Sequence, residues 1–321
     1  MILSLTRVRR TAAVAAVAGT LLAAPLATSA TAASAPATSA KAAIMINSST
    51  GSVLYSKSAD TKLSLASTTK IMTARVVLTT PGLDLDKRIT MKQAYNDYAA
   101  KVQGSKAWIV VGDKLTVRGW LNAMLTPSGC DAAAALADTF GKGSTQAARF
   151  ADFIKQMNAK AKLYGMKNTH FDSFDGNSPV RTGTYSTPRD MAKLAQQGMK
   201  SATFRGIVDG GGKATAIATN GRPRYYSWDN SNNLVRPKNA KTPGGLEYPG
   251  AIGIKTGTNT PAGRCLVFSA VRNGKTVIGV LLNDDARYPD AVNLLNWTFG
   301  ASAASSAPMR SDAAAVKDVL D

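Results

Sequence analysis

Residues 251–282 read AIGIKTGTNTPAGRCLVFSAVRNGKTVIGVLL, and this stretch decides the fold. Ala251 to Thr258 predicts a strand, Pro261-Ala262-Gly263 a turn, and Arg264 to Val271 a second strand. Asn273-Gly274 is a hairpin turn, and Lys275 to Leu282 predicts a third strand. Strands joined by such short turns are antiparallel. Pro289 to Phe299 then predicts a closing helix. At the other end of the chain, Ala43–Asn47 and Ser52–Ser56 flank Ser48-Ser49-Thr50-Gly51, a second hairpin signal. The expectation is one antiparallel sheet of about five strands, drawn from both chain ends.

The middle of the chain is helical in period. From Leu65 the pattern becomes helical, and Ile71 to Leu78 is apolar nearly all round, as in a helix buried on every side. Pro81-Gly82 ends it. Val117, Trp120, Leu121, Met124 and Leu125 recur at helical spacing, and Pro127 follows. Asp131 is placed to cap a helix from Ala132 to Phe140. Further helices are predicted from about Thr145 to Leu163 and from Asp190 to Met199. The fold class is therefore α+β: a sheet covered by helices, with a mostly helical lobe inserted.

The first 33 residues have the form of a signal peptide. Arg7, Arg9 and Arg10 precede an apolar run from Ala12 to Leu26, and small residues follow, with a cleavage pattern near Ala30 to Ala33. Residues 34–41 read as a flexible leader, 42–300 as the folded domain, and 301–321 as an Ala/Ser-rich tail. Export to the extracellular face of the membrane or the cell wall is expected. The formal net charge is +19, and taking away the three leader arginines leaves +16. In an exported protein that charge favours anionic wall polymers or a membrane surface. No nucleic-acid-binding motif accompanies it. Cys130 and Cys265 are too few for a disulfide framework, and both are expected to be free.

Three short elements can carry chemistry. In Ser67-Thr68-Thr69-Lys70, residues three apart share a helix face, so the Lys70 amine reaches the Ser67 hydroxyl. A lysine in a dry site sheds its proton more readily and can act as general base on a serine. Ser128-Gly129-Cys130 lies in a tight loop between helices, where a hydroxyl can relay a proton. In Lys255-Thr256-Gly257, strand alternation puts Lys255 and Gly257 on one face. Lys255 brings charge, Gly257 lets a peptide approach the backbone, and Thr256 and Thr258 can bind a carboxylate. Each element alone also suits a cap, a turn or an ordinary strand.

Together and in this order, they resemble the serine penicillin-binding proteins and β-lactamases, whose elements are S-x-x-K, S-x-N and K-T-G. The chain is similar, more narrowly, to the D-alanyl-D-alanine carboxypeptidase family of low-mass penicillin-binding proteins. Residues 65–74, 125–129, 164–171, 185–187, 253–257 and 294–297 carry the likeness, which spans about 42–300. The resemblance implies that Ser67 forms an acyl-enzyme on D-Ala-D-Ala ends of peptidoglycan stem peptides. It implies that Lys70 takes the proton, Ser128 passes one to the leaving amine, and Lys255 orients Ser128 and draws in the substrate carboxylate. Backbone N–H groups of Ser67 and Thr258 would form the oxyanion hole. Carboxypeptidase and transpeptidase outcomes, β-lactams as covalent inhibitors, a monomer and no metal or cofactor belong to the same expectation.

Two departures stand out. The family's usual third residue of the second element is Asn, and here it is Cys130, a weak donor and acceptor. A small set of actinomycete DD-transpeptidases shares Ser-Gly-Cys, which favours transpeptidation. Position 259 is Asn where Thr is common. A class A β-lactamase needs a glutamate for its deacylating water, and the only glutamate is Glu247, just before the third element. The single histidine, His170, leaves a His-based zinc site without ligands and serves no obvious Ser-His-Asp or Cys-His pair. A catalytically weak penicillin- or wall-binding module remains the alternative of another class.

Overall fold

The computed structural model describes residues 1–2, 34–178 and 183–300. The signal-peptide and tail assignments lie outside the described residues apart from Met1 and Ile2. Ala42–Asn47 (β1) and Val53–Lys57 (β2) form the first hairpin. Ala251–Asn259 (β7), Gly263–Arg272 (β8) and Lys275–Leu282 (β9) form the last three strands. They make one antiparallel sheet in the order β2-β1-β9-β8-β7, so the first strand pairs with the last, from Ala42 opposite Leu282 to Asn47 opposite Val277.

Alternation along the strands feeds two cores, one on each face. Ala43 and Met45 of β1 join Leu266, Phe268, Val277 and Leu281 under the closing helix, Arg287–Thr298 (α8). Ile44 and Ile46 point the other way with Val267, Ile278 and Val280, into the larger core. At the centre of that core is Lys70–Leu78 (α1), which packs against four helices: Val117–Leu125 (α3), Cys130–Phe140 (α4), Gln146–Leu163 (α5) and Pro188–Met199 (α6). Every α1 residue from Lys70 to Val77 is buried, which explains its lack of a polar face.

Three expectations need correction. The helical segment does not run unbroken from Leu65: residues Ala66–Thr69 form a 3₁₀ turn that feeds α1, with Ala66 at φ +46°. Asp131 does not cap α4. The cap residue is Gly129, Cys130 is the first helical residue, and the Asp131 carboxylate is buried, accepting from the Ala107 (3.0 Å) and Ala132 (2.8 Å) N–H groups. The 34–41 leader is pinned at its far end. Ala40 is fully buried, and the Ser39 N–H donates to Asp290 (2.6 Å) while its hydroxyl donates to Asp284 and Asp290.

The middle lobe also holds a second antiparallel sheet. Arg88–Thr90 (β3), Lys114–Thr116 (β4), Gly212–Ile217 (β5) and Pro223–Trp228 (β6) lie in the order β3-β4-β5-β6. The short helices Gln93–Lys101 (α2) and Ala202–Val208 (α7) complete the described elements.

Candidate active site

The nucleophile candidate sits where the 3₁₀ turn becomes α1. With three residues per turn, positions i and i+3 eclipse, and the Lys70 Nζ donates to Ser67 Oγ over 2.7 Å. Lys70 is fully buried, and Ser67 is 5% exposed. The same Nζ lies 3.4 Å from Ser128 Oγ and 3.4 Å from Cys130 Sγ. One lysine therefore touches three of the side chains singled out in the first two motifs.

The loop between α3 and α4 delivers Ser128 and Cys130 by unusual backbone. Ser128 adopts φ +71°, in the left-handed region. Its carbonyl accepts from Ser105 Oγ (2.6 Å), and the Cys130 N–H donates to Ser105 O (2.8 Å). The Cys130 sulfur also accepts from Asn177 Nδ2 at 3.4 Å. Burial pushes the Cys130 thiol up to about 12, against the opposing pull of Lys70 and with the nearby Asp175 carboxylate adding to the rise. It is a neutral thiol at physiological pH, a packing and weak hydrogen-bonding group rather than a nucleophile. Cys265 is likewise buried and in no disulfide, its sulfur 3.7 Å from Ala262 O.

Strand β7 closes the site from the opposite side. Gly257 passes so close to the nucleophile turn that a Cβ there would stand 2.8 Å from Leu65 O and 3.0 Å from Ser67 N. The missing side chain is what lets the two backbones meet. Lys255, 1% exposed, donates to Thr256 O (3.2 Å), and its Nζ lies 3.5 Å from Ser231 Oγ. Ser231 Oγ and Thr256 Oγ1 share a 2.8 Å bond. Thr258 Oγ1 accepts from Arg287, whose guanidinium also holds the carbonyls of Gly257 and Cys265.

The sequence pattern missed several of these partners. Ser231 lies in the Asn230–Asn233 polar run, which has no period, and its N–H donates to Thr126 O (3.0 Å) beside the Ser128 loop. Gly176, at φ +94°, would bring a Cβ to 1.8 Å from Ala66 O. Asn259 donates to Gly176 O (3.2 Å) and accepts from the Ala262 N–H, so the position where Thr is common ties two loops together. His170 is exposed, paired through its backbone with Tyr185, and Glu247 is exposed on the loop before β7. Among the described residues no group of three or more His, Cys, Asp or Glu could hold a metal ion.

A buried serine–lysine pair, a second serine on the same lysine and a lysine-bearing strand across the cleft make a site for acyl transfer. The sequence model described as D-alanyl-D-alanine carboxypeptidase matches residues 29–286. The chain belongs to the D-alanyl-D-alanine carboxypeptidase family. It is similar to the D-alanyl-D-alanine carboxypeptidase of Streptomyces sp. (strain K15), at 45% identity over 301 residues, 91% of this chain and 99% of that relative. It is 33% identical to the D-alanyl-D-alanine carboxypeptidase DacF of Bacillus subtilis (strain 168), covering 81% of this chain and 62% of that one. Its fold superposes on the crystal structure of the Streptomyces K15 DD-transpeptidase with a TM-score of 0.78 and 45% identity, over 83% of this chain and 99% of that one. The family's serine and lysine motifs thus sit here on one lysine and one strand.

Proposed function

We propose that the chain is a serine DD-peptidase acting on D-Ala-D-Ala ends of peptidoglycan stem peptides. The observation that carries this is the single side-chain nitrogen of Lys70, 2.7 Å from Ser67 Oγ and 3.4 Å from Ser128 Oγ. Ser67 Oγ attacks the carbonyl of the penultimate D-Ala while Lys70 takes its proton. The C–N bond to the terminal D-Ala breaks, Ser128 relays a proton to the departing amine, and an ester remains on Ser67. Ser67 and Thr258 N–H groups receive the oxyanion, and the Gly257 approach brings their backbones together. Lys255, Ser231 and the Thr256 hydroxyl form the polar wall for the terminal carboxylate.

The ester then passes to water or to an amine. Cys130 supplies no amide to the site, and we assign the protein a bias toward the amine. β-Lactams acylate Ser67 and stay, because Glu247 is exposed on the loop before β7 and the mechanism assigns it no water. Export, a place at the outer face of the membrane or in the wall, a monomeric state and attraction to anionic polymers through the positive charge are part of the same proposal.

The test is incubation of the protein with a diacyl-L-Lys-D-Ala-D-Ala tripeptide, with and without glycylglycine, and with Ser67→Ala as control. Ser67-dependent release of D-Ala with capture of the acyl chain by the amine is the expected result. Free acid alone makes the protein a carboxypeptidase. Equal inertness of both proteins to peptide and to penicillin ends the enzyme reading.

A further inference from the structure

A groove leaves the site at Ser231 and runs outward between the 104–108 loop and the 229–242 segment. Its first wall is tied to the catalytic loop. The Ala107 N–H is held by Asp131, Ala107 O accepts from Trp228 Nε1 (2.9 Å), and Ser105 bonds the Ser128 carbonyl. On this frame stands Trp108, 77% exposed, with Lys106 Nζ 5.7 Å from its ring centre. The other wall carries Lys241, on a segment fixed by the Thr242 N–H donating to Asp229 (2.8 Å). Neither Lys106 nor Lys241 takes part in an ion pair among the described residues.

We propose that this groove is the acceptor subsite of the transfer reaction, taking a peptide amine with a carboxylate one residue beyond it. The proposal rests on the DD-peptidase reading and adds where the second substrate lies. An attacking amine must occupy the place the departing amine left, because its attack is the reverse of that departure and by microscopic reversibility passes through a tetrahedral intermediate of the same geometry. Its nitrogen therefore sits by Ser128, and its first residue sits by Ser231 and Lys255, where the leaving D-Ala had been. A second residue has to continue outward, and the groove opens at that point. There its carboxylate meets Lys106 and Lys241, and the Trp108 ring covers its apolar face. In the step itself the amine nitrogen bonds to the acyl carbon and the ester C–O bond to Ser67 breaks. The amine proton passes through Ser128 to the lysine, and Ser67 Oγ recovers a proton from Lys70.

The experiment compares glycylglycine with glycylglycine amide as acceptors, in wild type and in the Lys106→Ala/Lys241→Ala double variant. The readout is the ratio of transfer to hydrolysis within each reaction, so a general loss of acyl-enzyme cancels. In wild type the amide lowers the ratio, and the double variant lowers it for the free acid by roughly two- to fivefold per lysine. In the double variant the two acceptors become equal. Trp108→Ala lowers the ratio for both acceptors alike. If the double variant still prefers the free acid as strongly as wild type does, the carboxylate is read elsewhere and the proposal falls. If no amine captures the acyl group while penicillin still labels Ser67, the groove is no acceptor site but the DD-peptidase reading stands. If penicillin does not label Ser67 either, that reading itself has failed.

Discussion

In the five-stranded sheet, β8 and β9 each carry six consecutive buried residues, covered by α8 on one face and by helices on the other. In the four-stranded sheet, β6 alternates exposed and half-buried positions from Pro223 to Trp228, and none is fully buried. The first sheet fixes chemistry: β7 is braced by β8 and Arg287, and Gly257 touches the nucleophile turn. The second shapes access, since β6 supplies Trp228 and leads into the Ser231 segment. A site needs both kinds of support. Ångström-scale placement comes from parts buried on both sides, and an open sheet can carry aromatic and charged walls because water solvates its outer face.

The comparison can be broken most severely at the buried side. Ser67→Ala removes the nucleophile, and D-Ala release and labelling by a fluorescent penicillin are expected to drop by at least about 10⁴-fold. Gly176→Ala drives a methyl into Ala66 O beside Ser67. It is expected to cost about 3 kcal/mol or more in thermal unfolding and to lower penicillin labelling with it. The matching change in the open sheet is Gly221→Ala, in the β5–β6 turn at φ +79° with nothing within 4 Å of a new Cβ. Only backbone strain opposes it, about 1–2 kcal/mol, with labelling retained. Equal losses for the two glycines would erase the contrast between the sheets.

Tyr226→Phe probes what holds the open sheet. The Tyr226 hydroxyl donates to buried Asp113 (2.5 Å) and accepts from the Val110 N–H (3.0 Å), and its loss is expected to cost about 1–2 kcal/mol in chemical denaturation. The mildest effect belongs to Asp284, under α8. Burial, together with the charge of Asp290, raises its carboxyl to about 6 from an unfolded value of 3.8, though Ser39 pulls the other way. The native state therefore holds a proton that the unfolded chain has lost, and this contribution to stability falls as pH rises from about 4 to about 6. Asp284→Asn should remove that slope, as read from unfolding midpoints across the window. A slope that survives the change assigns it to another group.

The contrast also explains what the sequence revealed. Three strands with tight turns, one of them Asn273-Gly274, gave a pattern too long to mistake, and β7, β8 and β9 fall within a residue or two of expectation. The small sheet was missed because β3 and β4 have three residues each, too short for a period to register. The Asn220-Gly221 turn between β5 and β6 was the one available signal for it. In the site, Ser67, Lys70, Ser128 and Lys255 were legible because motif spacing encodes them. Ser231, Asn177 and Gly176 were not, since they reach the site through irregular loops whose course depends on tertiary packing. Asp131 was assigned to a cap because sequence shows proximity along the chain, while its carboxylate answers to Ala107, 24 positions away.

The pairing of β1 with β9 has a consequence for how the molecule comes into being. A chain made from its amino end produces β1 some 230 residues before its partner, so the middle of the sheet stays open until nearly the whole polypeptide exists. Closing it brings together residues far apart in sequence, the slow kind of step in folding. It also places the start of β1 beside the end of β9, Ala42 opposite Leu282, while α8 returns so that Thr298 lies by Lys275 at the other end of the strand. A circular permutant that joins the end of α8 to the start of β1 by a linker long enough to run back along the helix, and opens the chain at Asn220-Gly221, would make β9 and β1 neighbours in time as well as in space.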